Sequence, residues 1–500
     1  MSDGIARFKR MAGGFLAVAV GTYGAMALAF VISAVLTRRL GAERFGGLAL
    51  LMMASQVLSL FVSNWTHVGF VGFGSQEFAA AGTVTGTFWA RTWVVAPWAT
   101  AGTIVMILFR EPLAAYFGIP VWGLAIVYGH FAAAYALTSL GAVFQARHEM
   151  SRYGTALFLD KAATLALVGL LPAAWVGTPL RVVGAYALSS ALVCGWCAWI
   201  LGRSAFFPIR FDREAFRRIW RFSLPLIFST WSGLLGTSWF DYFVIRRYLP
   251  LSDLGLYSLA SQLNGVIQQI TVIFSTLLLP HLAAMVHRGE DARIRAIVER
   301  FFPYWFLGTS VLFSVVLLSA RPVLPLVFGE AFSGAARPLA ILMLATSAMT
   351  FFNAFTPLVS AYGLTWQFAI MCVVSVLVNV VMDFALIPSF GIEGAATATV
   401  IAYGIAAVLV LELVRRRLGC RIFQMGALGV PMLVVCLSFL LLDDARFYVV
   451  GAVGAAASAC VLVRVFGLFN EEDRTFLQDL RMVPALHHLL MRQSARRGLP

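Results

Sequence analysis

The 500-residue chain is too apolar for a soluble globular protein, because 60% of its residues are hydrophobic, 12% are charged and its mean hydropathy is +0.86. Its net charge of +14 comes almost wholly from arginine, since Lys9 and Lys161 are the only lysines. Such an excess in a membrane protein records topology and lipid head groups, so we expect no nucleic-acid partner. The sequence has no phosphate-cradling glycine-rich loop, HExxH motif or nucleophile elbow, which argues against an enzyme.

Apolar stretches of roughly 18 residues or more recur along the chain, and each can cross a hydrocarbon layer of about 30 Å as a helix. We therefore predict an all-α integral membrane protein with about fourteen transmembrane helices. The first six span about residues 11–37, 45–66, 88–108, 121–143, 154–177 and 183–202. The next six span about residues 223–245, 253–284, 298–319, 337–361, 365–388 and 392–414, and two more span about 427–442 and 446–468.

A sequence repeat divides the chain. At a shift of 209 positions the following residues coincide: Arg247, Leu249, Gly255 and Leu259 fall on Arg38, Leu40, Gly46 and Leu50. The same shift carries Arg300 onto Arg91, and nearly equal shifts align further segments. A nearly constant offset predicts two six-helix bundles. The predicted parts are the bundles 1–205 and 225–418, an interfacial linker 206–224, two additional helices within 419–468 and a cytoplasmic tail 469–500.

The distribution of positive charge predicts the orientation. Loops on the side of the N-terminus carry 25 arginines and lysines, whereas the opposite loops carry 10. The positive-inside rule therefore places both termini in the cytoplasm. Because each bundle has an even number of spans, the bundles form a parallel repeat about an axis along the membrane normal. Between them, the segment 211–225 combines an apolar stripe with arginines and Asp212 as a helix N-cap, which predicts a helix lying on the inner leaflet.

Charged residues within the predicted spans are candidate functional residues, because charge is costly in lipid and usually faces a cavity. Asp160 and Lys161 lie about two turns inside the fifth span. Lys161 suits an anionic substrate, and an ion pair with another helix is the alternative. Helix neighbours point about 100° apart, so these two residues need not pair with each other. Arg91 could reach a lipid phosphate or extend to the inner surface, and Arg300 has the same alternatives.

Two further aspartates, Asp241 and Asp383, lie at similar depths in the seventh and eleventh spans. Like Asp160, either could bind a coupling proton or sodium ion, and an internal ion pair or hydrogen bond is the alternative.

Arg38 and Arg247 lie in repeat-related turns where they could guide a diphosphate, unless they are simply solvated helix ends. Tyr242 could stack on a sugar ring or serve as an ordinary interface aromatic. Apart from the coupling ion we expect no cofactor, and no metal site.

Short motifs distributed over nearly the whole chain carry a family resemblance. They are Arg38-Arg-Leu-Gly with Phe45-Gly46, Pro225, Asp241 with Arg247 through Gly255-Leu-Tyr257, Phe328-Gly329, and Ile387-Pro followed by Gly391-Ile-Glu-Gly-Ala-Ala396. With these motifs the chain resembles a polysaccharide-transport (Wzx-type) oligosaccharide flippase of the multidrug/oligosaccharidyl-lipid/polysaccharide exporter superfamily. The resemblance implies two six-helix bundles in a V around a central cavity, with two extra helices at the C-terminus, in a bacterial inner membrane.

The resemblance also implies a substrate, a polyprenyl-diphosphate-linked oligosaccharide repeat unit used for exopolysaccharide or lipopolysaccharide synthesis. We expect alternating access, in which Arg91 and Lys161 meet the diphosphate on the inner side and Arg38 and Arg247 flank the exit. Expected partners are the lipid-linked glycan, membrane lipids and the glycan polymerase and export machinery.

Three other functions are weighed against this one. A cation-coupled drug exporter stays open because of the buried aspartates. A lipid II flippase is disfavoured because the first span has no charge between Arg10 and Arg38. A membrane glycan polymerase or ligase is disfavoured because no predicted outer loop is long.

Overall fold

The computed structural model describes residues 2–172, 177–209, 211–235, 238–419, 423–442 and 444–468, so the predicted tail 469–500 lies outside the described residues. Over these ranges the regular structure is helical and contains no strand, which confirms the predicted all-α class. The α-helices are α1 (Ser2–Val62), α2 (His67–Ala81), α3 (Thr85–Leu108), α4 (Arg110–Phe117), α5 (Gly123–Ala146), α6 (Met150–Leu170), α7 (Pro179–Leu201), α8 (Arg213–Leu235), α9 (Ser238–Tyr248), α10 (Leu251–His287), α11 (Asp291–Arg300), α12 (Phe302–Phe328), α13 (Ala336–Ala361), α14 (Thr365–Leu418), α15 (Val430–Leu441) and α16 (Asp444–Val465).

The described residues contain 11 helical stretches long and apolar enough to cross a membrane, so the protein is a multi-pass membrane protein. Two of them, Val18–Val62 with 45 residues and Trp366–Leu418 with 53, are each longer than two crossings of roughly 20 residues. Both break at a glycine with positive φ, +71° at Gly41 and +60° at Gly391. These glycines lie between consecutive predicted spans. The count of fourteen stays a prediction, since the fifth and seventh predicted spans contain residues 173–176 and 236–237, which are not described.

The chain forms two compact units. Unit 1 comprises the described parts of Met1–Leu263 together with Pro322–Leu339 and Val376–Ala398. Unit 2 comprises Asn264–Arg321, Ala340–Ser375 and the described part of Thr399–Pro500. These units are defined by spatial proximity, whereas the predicted bundles are defined by the sequence repeat. The predicted domain boundaries therefore stay a prediction.

Within unit 1, repeat-related glycines lie where α1 and α10 pack against each other. A Cβ atom at Gly46 would lie 1.9 Å from the carbonyl oxygen of Leu251. A Cβ atom at Gly255 would lie 2.0 Å from the carbonyl oxygen of Ala42. Only glycine permits such an approach of two helix backbones, as is common between membrane helices. The repeat therefore places the same residue type on both sides of one helix contact.

Helix α8 begins as the sequence predicts. The Asp212 Oδ1 atom accepts hydrogen bonds from the backbone N–H groups of Glu214 and Ala215 at 2.9 and 3.0 Å, as an N-cap residue does. Ala215 and Ile219 are buried, and the four arginines on the first turns are exposed: Arg213, Arg217, Arg218 and Arg221. The segment is therefore an amphipathic helix, and its position on the inner leaflet stays a prediction.

Unit 2 has an aromatic core. The ring of Phe274 stacks on Trp305 with centroids 3.9 Å apart, and Phe306 stacks on Phe351 at 4.1 Å. The C-terminal pair α15 and α16 is held to α12 by Arg321, which donates to the carbonyl oxygen of Phe439 at 2.6 Å. The Arg321 guanidinium also lies over the Phe439 ring, 4.4 Å from its centroid.

Candidate functional site

A cavity of about 380 Å³ lies within unit 1, between α1, α2, α5, α6 and α7. Its walls approach closely because Gly21 of α1 packs on α6, where an added Cβ would lie 2.4 Å from the carbonyl oxygen of Gly154. Apolar side chains such as Met26 and Met52 cover much of the cavity. Its polar lining includes Gln56, His67, His130, Asp160, Lys161 and Tyr186. The cavity thus gathers titratable groups from four helices inside an apolar bundle.

Asp160 and Lys161 form an ion pair on the wall of this cavity, with 2.9 Å between Lys161 Nζ and Asp160 Oδ2. The sequence argument left such a pair open because helix neighbours diverge, yet the long lysine side chain bends back to its neighbour. The Asp160 Oδ1 atom accepts hydrogen bonds from the hydroxyls of Ser190 at 2.8 Å and Ser189 at 3.2 Å. The aspartate is therefore fixed from α7, whereas the lysine faces the cavity.

Two histidines that the sequence analysis did not single out also face the cavity. The Nδ1 atom of His130 lies 2.8 Å from Ser55 Oγ, and its ring lies edge-on to Tyr186. The Nδ1 atom of His67 is buried without a hydrogen-bond partner in the described part of the chain. A signal for His130 existed, because it is a titratable residue in the middle of the predicted fourth span. No pattern in the sequence pointed to His67.

Arg91 is buried next to the cavity wall and is only 2% exposed, contrary to the expectation that it extends to the inner surface. Its guanidinium donates to Thr66 Oγ1 at 2.9 Å and to Ser139 Oγ at 3.1 Å. It also lies over two aromatic rings, with Phe70 and Tyr135 centroids at 5.2 and 5.4 Å. No carboxylate of the described residues forms an ion pair with it. Among the described residues, its positive charge therefore meets hydroxyl groups and aromatic rings and no carboxylate.

The predicted exit arginines do not line the cavity. Arg38 donates through Nε to the carbonyl oxygen of Val327 at 2.9 Å, and also to that of Leu326. It thus caps the C-terminal end of α12, a favourable place for a positive charge. Its repeat partner Arg247 is exposed, with its guanidinium 5.9 Å from the centroid of the Tyr248 ring. The structure gives Arg38 a structural role and leaves Arg247 at the surface.

A second cluster in unit 1 contains the other two aspartates. Asp241 of α9 and Asp383 of α14 are both buried, and their carboxyl groups are adjacent. The Tyr257 hydroxyl donates to Asp241 Oδ2, and Tyr242, 4% exposed, packs edge-on to the Tyr257 ring. Tyr242 is therefore enclosed in the protein, away from any position where a sugar could stack on it in this conformation.

This carboxylate pair contains unsatisfied polar atoms. Asp241 Oδ1, both carboxylate oxygens of Asp383 and Asn379 Nδ2 are buried without a hydrogen-bond partner in the described ranges. Asn379 precedes Asp383 by one helical turn, so both side chains lie on the same face of α14. Two ionised carboxylates cannot remain side by side in a buried site without a cation. The cluster therefore suits a proton or a small cation, which the oxygen atoms could hold between them.

Solved structures with a similar backbone identify the fold. The structure titled "Lipid II flippase MurJ, inward closed conformation" matches with a TM-score of 0.70 and 11% identity, covering 90% of this chain and 98% of that one. An inward-facing multidrug resistance MATE family transporter of the MOP superfamily matches with a TM-score of 0.63 and 14% identity, covering 79% and 94%. The protein thus has the fold shared by MurJ and the MATE transporters, which confirms the predicted fold class.

Two sequence relatives have names that describe glycan biosynthesis. The Haloferax volcanii protein "Probable low-salt glycan biosynthesis flippase Agl15" is 24% identical over 245 residues, which span 47% of this chain and about half, 51%, of that relative. The "Succinoglycan biosynthesis transport protein ExoT" of Rhizobium meliloti is 26% identical over 371 residues, 69% of this chain and 67% of that protein. The model of the family described as "Polysaccharide biosynthesis protein" matches residues 11–286, more than half of the chain. The chain therefore belongs to the polysaccharide biosynthesis protein family.

Proposed function

We propose that the protein is a flippase that moves a polyprenyl-diphosphate-linked oligosaccharide repeat unit across a bacterial inner membrane by alternating access. The observation that carries the proposal is the cavity of unit 1, where Lys161 faces open space and Arg91 lies behind the wall with no carboxylate partner in the part of the chain that the structure describes. Against these two positive charges, the described residues of the cavity lining contribute one carboxylate, that of Asp160. An anionic head group would compensate the surplus charge. The names of the two relatives support a glycan as cargo.

A cation-coupled drug exporter is the alternative, and the same cavity disfavours it. A cationic drug needs a free carboxylate, whereas Asp160 is already neutralised by Lys161 at 2.9 Å. The first test is complementation of a cell that lacks its own glycan flippase. We expect the protein to restore surface polysaccharide and to confer no resistance to cationic drugs. If the protein reached normal membrane levels, gave drug resistance and restored no polysaccharide, the drug-exporter alternative would be correct.

The proposed orientation places both termini in the cytoplasm, so that the cavity of unit 1 can receive a substrate assembled on the inner leaflet. It is supported by the excess of arginine and lysine in alternate loops. A reporter enzyme that is active only in the cytoplasm should be active when fused to either end. Activity at one end and none at the other would mean an odd number of crossings and would contradict the predicted orientation of the termini. A glycan polymerase stays a predicted partner.

We also propose that Asp241 and Asp383 hold the coupling ion, a proton or sodium. This proposal is supported by the adjacent buried carboxyl groups and by the oxygen atoms that have no hydrogen-bond donor among the described residues. A coupling ion that binds there would compensate one of the two negative charges, and this would let the empty carrier return. The Lys161 cavity and this aspartate pair are separate clusters, so substrate and ion would bind at different residues of unit 1.

A further inference from the structure

We propose that a bound diphosphate takes Lys161 away from Asp160, and that Asp160 takes up a proton when Lys161 leaves. This inference rests on the proposed function, because the ligand it names is the diphosphate of the lipid-linked glycan. It makes the ion pair an exchange site: in the empty protein the lysine neutralises the aspartate, and in the loaded protein it neutralises the substrate. Loading the cavity would then carry a proton into the protein along with the substrate.

The two partners of the ion pair differ in their freedom to move. The Lys161 side chain is 33% exposed and lines the cavity, whereas the Asp160 side chain is 10% exposed. Asp160 is also held by α7, through the Ser190 and Ser189 hydroxyls on Oδ1. Its Oδ2 atom is the one that Lys161 contacts. A rotation of the lysine side chain would therefore break the pair and leave the carboxylate in place.

Charge decides which partner the lysine prefers when a diphosphate enters. A diphosphate carries more negative charge than one carboxylate, and the ammonium group binds phosphate oxygens as a compact, mobile charge. Once Lys161 has moved, the donors to the Asp160 carboxylate that remain among the described residues are the neutral hydroxyls of Ser189 and Ser190. A buried carboxylate without a counter-charge is unfavourable, and protonation removes the charge. The proton would bind Oδ2, the oxygen that Lys161 vacates, because Oδ1 keeps its two serine donors.

Other titratable groups face the same cavity, and the test must distinguish them from Asp160 as the group that accepts the proton. His130 comes from α5 and Tyr186 from α7, while His67 comes from α2 and Tyr153 from α6. Helix α1 contributes no charged side chain to the described cavity lining, and its polar groups there are Thr22 and Gln56. Of these groups, His130 is the main competitor for the proton, since its ring lies beside Tyr186, over which Lys161 also lies. The test therefore needs variants at both Asp160 and His130.

The experiment is titration calorimetry of the purified full-length protein in detergent with inorganic pyrophosphate as the probe. Repeating the titration at one pH in buffers of different ionisation enthalpy gives the number of protons taken up per bound pyrophosphate. We expect the wild type to take up about one proton more than Asp160→Asn, in which a neutral amide replaces the carboxylate that accepts the proton. The matched variant His130→Gln should keep the wild-type number. Any proton that pyrophosphate itself gains or loses on binding is the same for both proteins, so it cancels when their proton numbers are subtracted.

The affinity gives a second readout of the same exchange. Because binding takes up a proton, the wild-type Kd should rise about tenfold for each unit increase in pH, beyond any rise seen in Asp160→Asn. Asp160→Asn should also bind pyrophosphate more tightly at high pH, since its Lys161 is no longer held by a carboxylate. The proton exchange would be overturned if the wild type and Asp160→Asn took up equal numbers of protons while binding still depended on Lys161. It would also be overturned if His130→Gln alone abolished proton uptake. In both cases the diphosphate site itself would stand. Undetectable binding, or equal binding by Lys161→Met, would overturn the diphosphate site itself.

Discussion

Lys161→Met should reduce glycan export roughly ten- to a hundredfold while leaving the protein in the membrane. The reason is the loss of a charge-assisted contact to the diphosphate, a contact worth about 1.5–3 kcal/mol. Lys161 is the only lysine or arginine among the described residues that line the cavity, and its side chain faces open space. The measurement is surface polysaccharide in a flippase-deficient cell, normalised to the amount of protein in the membrane.

The variant has a structural side effect that must be separated from the loss of function. Methionine leaves Asp160 without its ion-pair partner, and breaking one side of a buried pair is destabilising by several kcal/mol. The double variant Asp160→Asn/Lys161→Met removes both charges, so it should recover thermal stability in detergent without recovering export. Arg217→Met is a matched control, because it removes a positive charge from the exposed side of α8 and should export normally. Undiminished export by Lys161→Met would remove Lys161 from the substrate site.

The helices and their breaks could be predicted from the sequence because the membrane imposes a simple rule on composition. Long apolar stretches become helices, and glycine between them permits a turn. Gly41 and Gly391 lie between predicted spans and are the positions where two very long helices break. How the spans pack could not be predicted, since apolar composition says nothing about which helix faces which. The grouping of Val376–Ala398 with unit 1 is an arrangement of that kind.

The candidate site was predictable in part for a similar reason. Charge within an apolar span is costly, so Asp160 and Lys161 were noticeable, and both line the cavity. Their mutual ion pair depends on the lysine rotamer, which helix periodicity does not determine. Arg91 and Arg38 show the limit more clearly. The depth of a residue along a span does not reveal that Arg91 donates to the hydroxyls of Thr66 and Ser139. Nor does it reveal that Arg38 caps the C-terminal end of α12.

Asp383→Asn should abolish the dependence of export on its coupling ion and lower the export rate by roughly tenfold or more. The expected drop in export rate follows from the loss of one charged ligand to the ion at a buried site, a contact worth about 1.5–3 kcal/mol. The measurement is export into inverted or sealed vesicles, with sodium varied at fixed pH and then pH varied at fixed sodium. The wild type should respond to one of these ions, which identifies it. The variant should lose that response and keep only the pH dependence that Asp160 gives to substrate binding. Glu393→Gln is the matched control, since Glu393 is a partly exposed carboxylate on the same helix, 3.4 Å from Arg337.

Stability distinguishes an ion site from an ordinary structural pair. If Asp241 and Asp383 hold a cation, the two carboxylates of the empty site either repel each other or share a proton. Replacing Asp383 by asparagine removes one of these carboxylates. The thermal midpoint of the variant should therefore equal or exceed that of the wild type in ion-free buffer. Adding the coupling ion should then raise the midpoint of the wild type and not that of the variant, because only the native site binds it. If Asp383→Asn instead lowered the midpoint by many degrees in ion-free buffer, the aspartate pair would be a structural hydrogen bond, and the coupling ion would have to be sought elsewhere in the protein.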